Sequence, residues 1–146
     1  MQTASRLLCR GLTGTAFALV ATMQPSHAGV VAVVSAKSTV TSLSKDQVAD
    51  IFLGRTSRFP NGDQAAPIDQ VESSVVREEF YTKFAGKLPA QMKAHWSKII
   101  FTGRGQPPPE VPTDLEMKKR VVGNPSAIGY IEQNAVDPSV RVIVAP

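Results

Sequence analysis

Apolar positions along the chain fall into short blocks of contrasting period. Gly29 to Ala36 (GVVAVVSA) is an unbroken, largely β-branched run without polar alternation, the pattern of a strand covered on both faces. Leu43 to Val48 (LSKDQV) then opens a helix. Ser44 is its cap, Gln47 completes a capping box, and Leu43 and Val48 form the hydrophobic staple. Val48, Ile51 and Phe52 make the apolar stripe, and Gly54 ends it. Residues 55–64 read as a loop with a turn at Pro60-Asn61-Gly62. Ala65 to Asp69 is a short strand. A helix follows from about Ser74, with Val76, Phe80 and Phe84 on one face and Gly86 as its stop. Pro89 suits a first helical position; Met92, Trp96 and Ile99 continue at helical spacing to Gly103. Residues 103–112 (GRGQPPPEVP) read as irregular. Thr113 to Glu116 forms a second capping box, and Gly123 with Pro125 ends that helix. Ala127 to Glu132 and Val140 to Val144 are closing strands.

About four strands alternate with four helices. This order predicts an α/β domain with a mostly parallel or mixed sheet and helices packed on it. Ligands of such sheets sit beyond strand ends, at helix N-termini.

The first 28 residues read differently. Arg6 and Arg10 precede the apolar stretch GLTGTAFALVATM, and Ser26 and Ala28 place small residues at −3 and −1 of a cut site. This is the three-part pattern of a secretory signal, removed after Ala28, and its apolar run is too short to span a bilayer. The expected product is residues 29–146, one exported domain without stable membrane insertion.

That division changes the composition. The full chain of 146 residues has 16 Lys+Arg, 12 Asp+Glu, one Cys and two His, with a net charge of +4. Removing the leader takes away Arg6, Arg10, Cys9 and His27, and leaves 118 residues at net +2 with His95 as the sole histidine. Disulfides, thiolate zinc sites and a Cys nucleophile are thereby excluded from the mature chain. An apolar fraction of 42% with 19% charged residues marks a globular chain that can bury a core.

Few groupings carry chemistry. Ser74 and His95 with an aspartate would supply a hydrolase triad, but the G-x-S-x-G elbow is absent, and His95 reads as a surface or satisfied histidine. Glu78 and Glu79 are adjacent on a helix, so their side chains diverge. Lys118-Lys119-Arg120 is the one basic run; it suits the negative end of a helix and is a poor nucleic-acid footprint at net +2. Pro107 to Pro109 read as a stiff surface loop. No P-loop or dinucleotide fingerprint occurs, and no cofactor is expected. What remains is the stretch from Ile68 to Arg77. There Ser73, Ser74, the amides of residues 74–76 and Arg77 lie at a strand-to-helix junction, where an oxyanion can be held. Plain capping by serine is the commoner use of such a junction.

Three segments in order resemble the phosphate-binding proteins of ABC transporters, in particular short single-lobe members. LSKDQVADIFLGR (Leu43 to Arg55) is similar to the family's helix ending in I-F-L-G-K/R. SVVREEF (Ser74 to Phe80) stands at the position of S-G-T-R-x-x-F, and NPSAIGYIE (Asn124 to Glu132) is close to N-P-G-A-I-G-Y-V. FTGRGQPP (Phe101 to Pro108) also looks like the short members. The resemblance implies a single-lobe, type II periplasmic-binding-protein-like domain and an exported, periplasmic, non-catalytic protein. The match is to the second lobe of members that clamp phosphate between two.

On that resemblance the family's Arg, Asp, Gly, Ser, Gly and Thr around the oxyanion fall on Gln70, Glu72, Ser73, Ser74, Val75 and Val76. Only Ser74 is retained, with Arg77 beyond it, while Glu72 keeps an acceptor. The expected ligand residues are therefore Ser74, Ser73, Arg77 and Glu72. Each missing charge-assisted hydrogen bond removes about 1.5–3 kcal/mol, so the expected binding of phosphate or a similar oxyanion is weak. The implied partners are an ABC permease and a second lobe or second copy. The alternative is a protein-interaction or sensory module that kept the lobe and lost tight anion binding.

Overall fold

The computed structural model describes residues 29–144. The leader and its cut site lie outside the described residues. Strand β1 (Val30–Ser35) is followed by α1 (Lys45–Phe52), β2 (Ala66–Pro67), β3 (Asp69–Gln70), α2 (Val75–Phe80), α3 (Pro89–Phe101), β4 (Glu110–Val111), α4 (Asp114–Gly123), β5 (Ala127–Glu132) and β6 (Val140–Val144).

The main sheet has the order β2-β5-β1-β6. β1 is antiparallel to both β5 and β6, and β2 is parallel to β5. The sheet is thus mixed, the second of the two forms expected. β3 and β4 form a separate two-stranded parallel ladder.

β1 is buried along its whole length, as its unbroken apolar run predicts. Its alternate residues serve two cores. Val30, Ala32 and Val34 join Phe52, Phe80, Tyr81, Met92 and Trp96 on one face. Val31 and Val33 join Met117, Val121 and Ile131 on the other. Three helices therefore cover one face and α4 the other, and burial of each large apolar side chain contributes about 1.5–3 kcal/mol. The first face is built on aromatic pairs, with Phe80 stacked on Tyr130 at 4.0 Å and Phe52 edge-on to Phe80 at 4.8 Å. On the second face α4 lies so close to β5 that a Cβ at Gly129 would come within 2.5 Å of Met117 Sδ.

Local signals hold at most boundaries. Ser44 and Gln47 form both halves of the capping box, at 3.2 and 2.9 Å. Thr113 accepts from the Glu116 amide, but the Glu116 carboxylate turns to Lys119 at 2.8 Å, so the second box is half made. Three boundaries differ from the sequence reading. The strand expected over Ala65–Asp69 breaks at Ile68, and its two ends join different sheets. Residues 110–111 form β4 within the stretch read as irregular, because Asp69 and Val71 donate to the carbonyls of Pro109 and Val111. Here Pro109 costs nothing, since that position contributes only its carbonyl to β3. Finally, α2 widens at Tyr81–Ala85 into a π turn, closed by Gly86 at φ 61°.

Candidate functional site

The expected anion site is the corner where β3 runs into α2. Ile68 donates its amide to Ile128 and leaves the main sheet. Asp69 and Gln70 then point into the protein, 1% and 2% exposed. The turn that follows is closed by the Ser74 amide on the Val71 carbonyl at 2.9 Å. Of the three amides expected to be free, Ser74's is therefore taken. Those of Val75 and Val76 have no acceptor among the described residues.

Ser74 caps α2. Its Oγ accepts from the Arg77 amide at 3.2 Å and donates to Gln70 Oε1 at 2.6 Å. Both bonds hold the hydroxyl against the protein. Gln70 is fixed in turn, since its Nε2 donates to Asp114 Oδ1 at 2.7 Å and to the Tyr130 carbonyl at 3.4 Å. Glu72 and Ser73 are exposed at the rim of the turn.

Arg77 does not face the rim. Its Nε donates to Asp69 Oδ2 at 3.2 Å, and its guanidinium carbon lies 5.3 Å from the centre of the Tyr81 ring. Asp69 is the hub. Oδ2 also accepts from the Tyr81 hydroxyl at 2.8 Å, while Oδ1 accepts from the Gln70 amide at 2.8 Å and from the Tyr130 hydroxyl. Four donors occupy the capacity of one carboxylate.

This arrangement sets the protonation states. Burial opposes the charge on Arg77, but Asp69 and the two tyrosines outweigh it, and the guanidinium is held charged with its pKa raised. Burial, and then the neighbouring Asp69 charge, push Tyr81 well above the ordinary tyrosine value; Tyr130 is raised for the same reasons. Both phenols stay neutral and donate to the carboxylate. The cluster is electrically closed: one cation, one anion and two neutral donors.

The structure therefore brings Ser74 and Arg77 together with Gln70 and Asp69, and leaves Glu72 and Ser73 outside on the turn. What remains uncommitted is the pair of free amides at the start of the helix, one of them that of Val75, which is 65% exposed. Amides of this kind can donate to a small oxyanion; no guanidinium stands beside them to add charge. Sequence reading missed Asp69, Tyr81 and Tyr130 as a group. Only Asp69 gave a signal, an acidic residue in an apolar strand, since such a charge needs a partner indoors.

His95 donates through Nε2 to the Leu53 carbonyl at 2.9 Å and is not near Ser74 in sequence. No group of three or more His, Cys, Asp or Glu among the described residues is arranged to hold a metal ion, and no described helix is long and apolar enough to cross a membrane.

No protein-family model and no curated protein matches the sequence. Solved structures do match the fold. A Vibrio cholerae ABC-type phosphate transport receptor superposes with a TM-score of 0.61 at 23% identity, over 79% of this chain and 45% of that one. A Clostridium perfringens protein, described as a phosphate ABC transporter substrate-binding protein and crystallised with phosphate, gives 0.62 at 20% identity, over 79% and 44%. PstS from Borrelia burgdorferi gives 0.53 at 16%, over 79% and 46%. The matched segment spans less than half of each neighbour's length. The chain has the α/β fold of a single PstS-like lobe.

Proposed function

We propose that this chain is the exported, non-catalytic binding lobe of a phosphate (oxyanion) ABC-type transport system, working as residues 29–146 after loss of a 1–28 leader. The observation that carries the reading is the pair of unclaimed amides at Val75 and Val76, at the strand-to-helix corner of a fold shared with phosphate-binding proteins. In this reading the amides donate to the oxyanion, the Ser73 hydroxyl flanks it, and Ser74 holds the amides in place as the helix cap. Glu72 accepts from a protonated phosphate oxygen. Arg77, paired with Asp69, braces the corner from within and adds no net charge to it. Such a half-site binds weakly, at about millimolar Kd or −4 kcal/mol; a permease, a second lobe or a second copy supplies the rest.

Titrating the protein with phosphate and with sulfate, followed by amide NMR, tests this. The expected result is fast-exchange shifts confined to residues 72–77, saturating in the millimolar range and weakened by Ser74→Ala. No shift at 50 mM of either anion sinks it. A second reading, a protein-interaction or sensory lobe, draws on the inward commitment of Arg77, Gln70 and the Ser74 hydroxyl, which leaves the corner without a side-chain cation. It predicts silence in that titration.

A further inference from the structure

The ends of α1 and α3 enclose a groove that shares no lining residue with the corner site. Two adjoining hollows of about 300 and 360 Å³ share Gly54, Arg55, Ile99 and Arg104 as walls. Trp96 lies in the floor, 7% exposed; its ring N–H is buried and has no acceptor among the described residues. Gly54 lets α1 end this close to it. At φ 71° the residue sits in the left-handed region, and a Cβ there would come within 3.0 Å of the indole Cη2.

The charge of the groove has one sign. Arg55, Lys98 and Arg104 line it, and no carboxylate does. Asp50 pairs with Arg55 at 2.9 Å from outside the lining. Lys98 and Arg104 have no side-chain partner among the described residues, in contrast to Arg77 in the corner. Part of this charge answers the negative ends of α1 and α3. Helix ends do not, however, account for the apolar floor between the cations, nor for the exposed apolar pair that follows Lys98. Phe101 follows Lys98 by three residues and so is its neighbour on the helix surface. It is 93% exposed, and Ile100 beside it is 48% exposed. An exposed Phe next to free cations and an aromatic-floored groove has the composition of a protein interface, where aromatic residues and Arg are enriched.

We propose that this groove docks an acidic segment of a partner protein. Carboxylates of the segment meet Lys98, Arg104 and Arg55, an apolar side chain rests on Ile99 and Trp96, and Phe101 closes over the edge. Charge complementarity selects the occupant: a neutral segment leaves two cations unanswered, and a basic one is repelled. The proposal is independent of anion binding at the α2 corner.

Trp96 is the sole tryptophan and therefore the reporter. The probe is the acetylated hexapeptide Asp-Glu-Leu-Glu-Asp-Glu, with its all-lysine counterpart (Lys replacing each acidic residue) as the control. The expected result is a saturable change in Trp96 emission with the acidic peptide only, weakening at least tenfold between 20 and 300 mM salt. The double variant Lys98→Glu/Arg104→Glu lowers affinity at least tenfold and binds the lysine peptide instead, which also shows that it is folded. Lys93→Glu makes the same kind of charge change on an exposed position of α3 that does not line the groove, and keeps affinity within twofold. Phe101→Ala weakens binding several-fold. The proposal is overturned if millimolar acidic peptide leaves Trp96 unchanged, if the double variant binds it as well as wild type, or if Lys93→Glu is as damaging as the double change. A response to inorganic phosphate equal to the peptide's also overturns it, in favour of a simple anion site.

Discussion

Arg77 and Arg104 carry the same guanidinium in opposite circumstances. Arg77 stands at the start of a helix beside two serines, where an anion-binding role reads naturally, yet its side chain is only 10% exposed and is bonded to the buried Asp69. Arg104 stands in a Gly- and Pro-rich loop whose sequence suggests no binding role, yet it lines a groove and has no side-chain partner among the described residues. A cation near a helix start is not an anion site while an internal carboxylate holds it. Burial decides this: an unpaired buried charge is far more costly than an exposed one, so the interior takes its counter-ion first.

The contrast can be broken most directly at Asp69. Asp69→Ala leaves Arg77 buried without its anion and deprives two tyrosine hydroxyls of their acceptor. We expect a loss of about 3–5 kcal/mol, read by urea denaturation with Trp96 emission as the signal. A loss below about 1 kcal/mol, the scale of an ordinary hydrogen bond, would mean that the cluster is not closed as described.

The next effect is seen at alkaline pH. Tyr81 and Tyr130 are the only tyrosines, and both titrate above their ordinary value in the folded state. Unfolding lowers those pKa values, so the unfolded chain binds fewer protons above pH ~10. The tyrosines' contribution to stability is complete below that pH and is lost as pH rises toward the folded values. Absorbance at 295 nm should therefore stay flat through pH 10–11 and rise only with unfolding. Tyrosinate that appears before any change in circular dichroism would open the cluster to solvent.

The smallest effect belongs to the groove. Arg104→Ala is expected to change stability by no more than about 0.5 kcal/mol, as exposed positions without partners do. Measured beside Asp69→Ala in the same urea series, it separates a cation the fold needs from one the fold leaves available. A destabilisation above 1 kcal/mol would remove that distinction.

Local physics was legible in the sequence, and long-range pairing was not. Ser44 and Gln47 mark the start of α1, because a capping box is complete within four residues. The unbroken run of β1 reports burial on both faces for a similar reason. The polar cluster could not be read in this way. Asp69 and Tyr130 lie 61 positions apart, and Gln70 and Asp114 lie 44 apart. Nothing near Arg77 in sequence shows that its side chain turns inward. Ile68 is equally opaque: a single apolar residue hands the chain from one sheet to another, and its neighbours look like a continuous strand. The groove was half visible, since Trp96 falls at helical spacing with Met92 and Ile99 and Gly54 stops α1, but the packing of the two, which leaves no room for a Cβ at position 54, belongs to tertiary structure.

The order of pairing in the main sheet has a consequence for how the molecule comes into being. β1 is the earliest described strand, yet both of its neighbours come from the last part of the chain, β5 from residue 127 and β6 from residue 140. Until those segments are present, β1 has neither ladder to complete and its valines have no sheet in which to be buried. Early helices can flicker, but the sheet must wait for contacts of high sequence separation, the kind that slow folding most. A chain cut short before residue 127 therefore leaves both edges of β1 unpaired and both cores without the sheet that divides them.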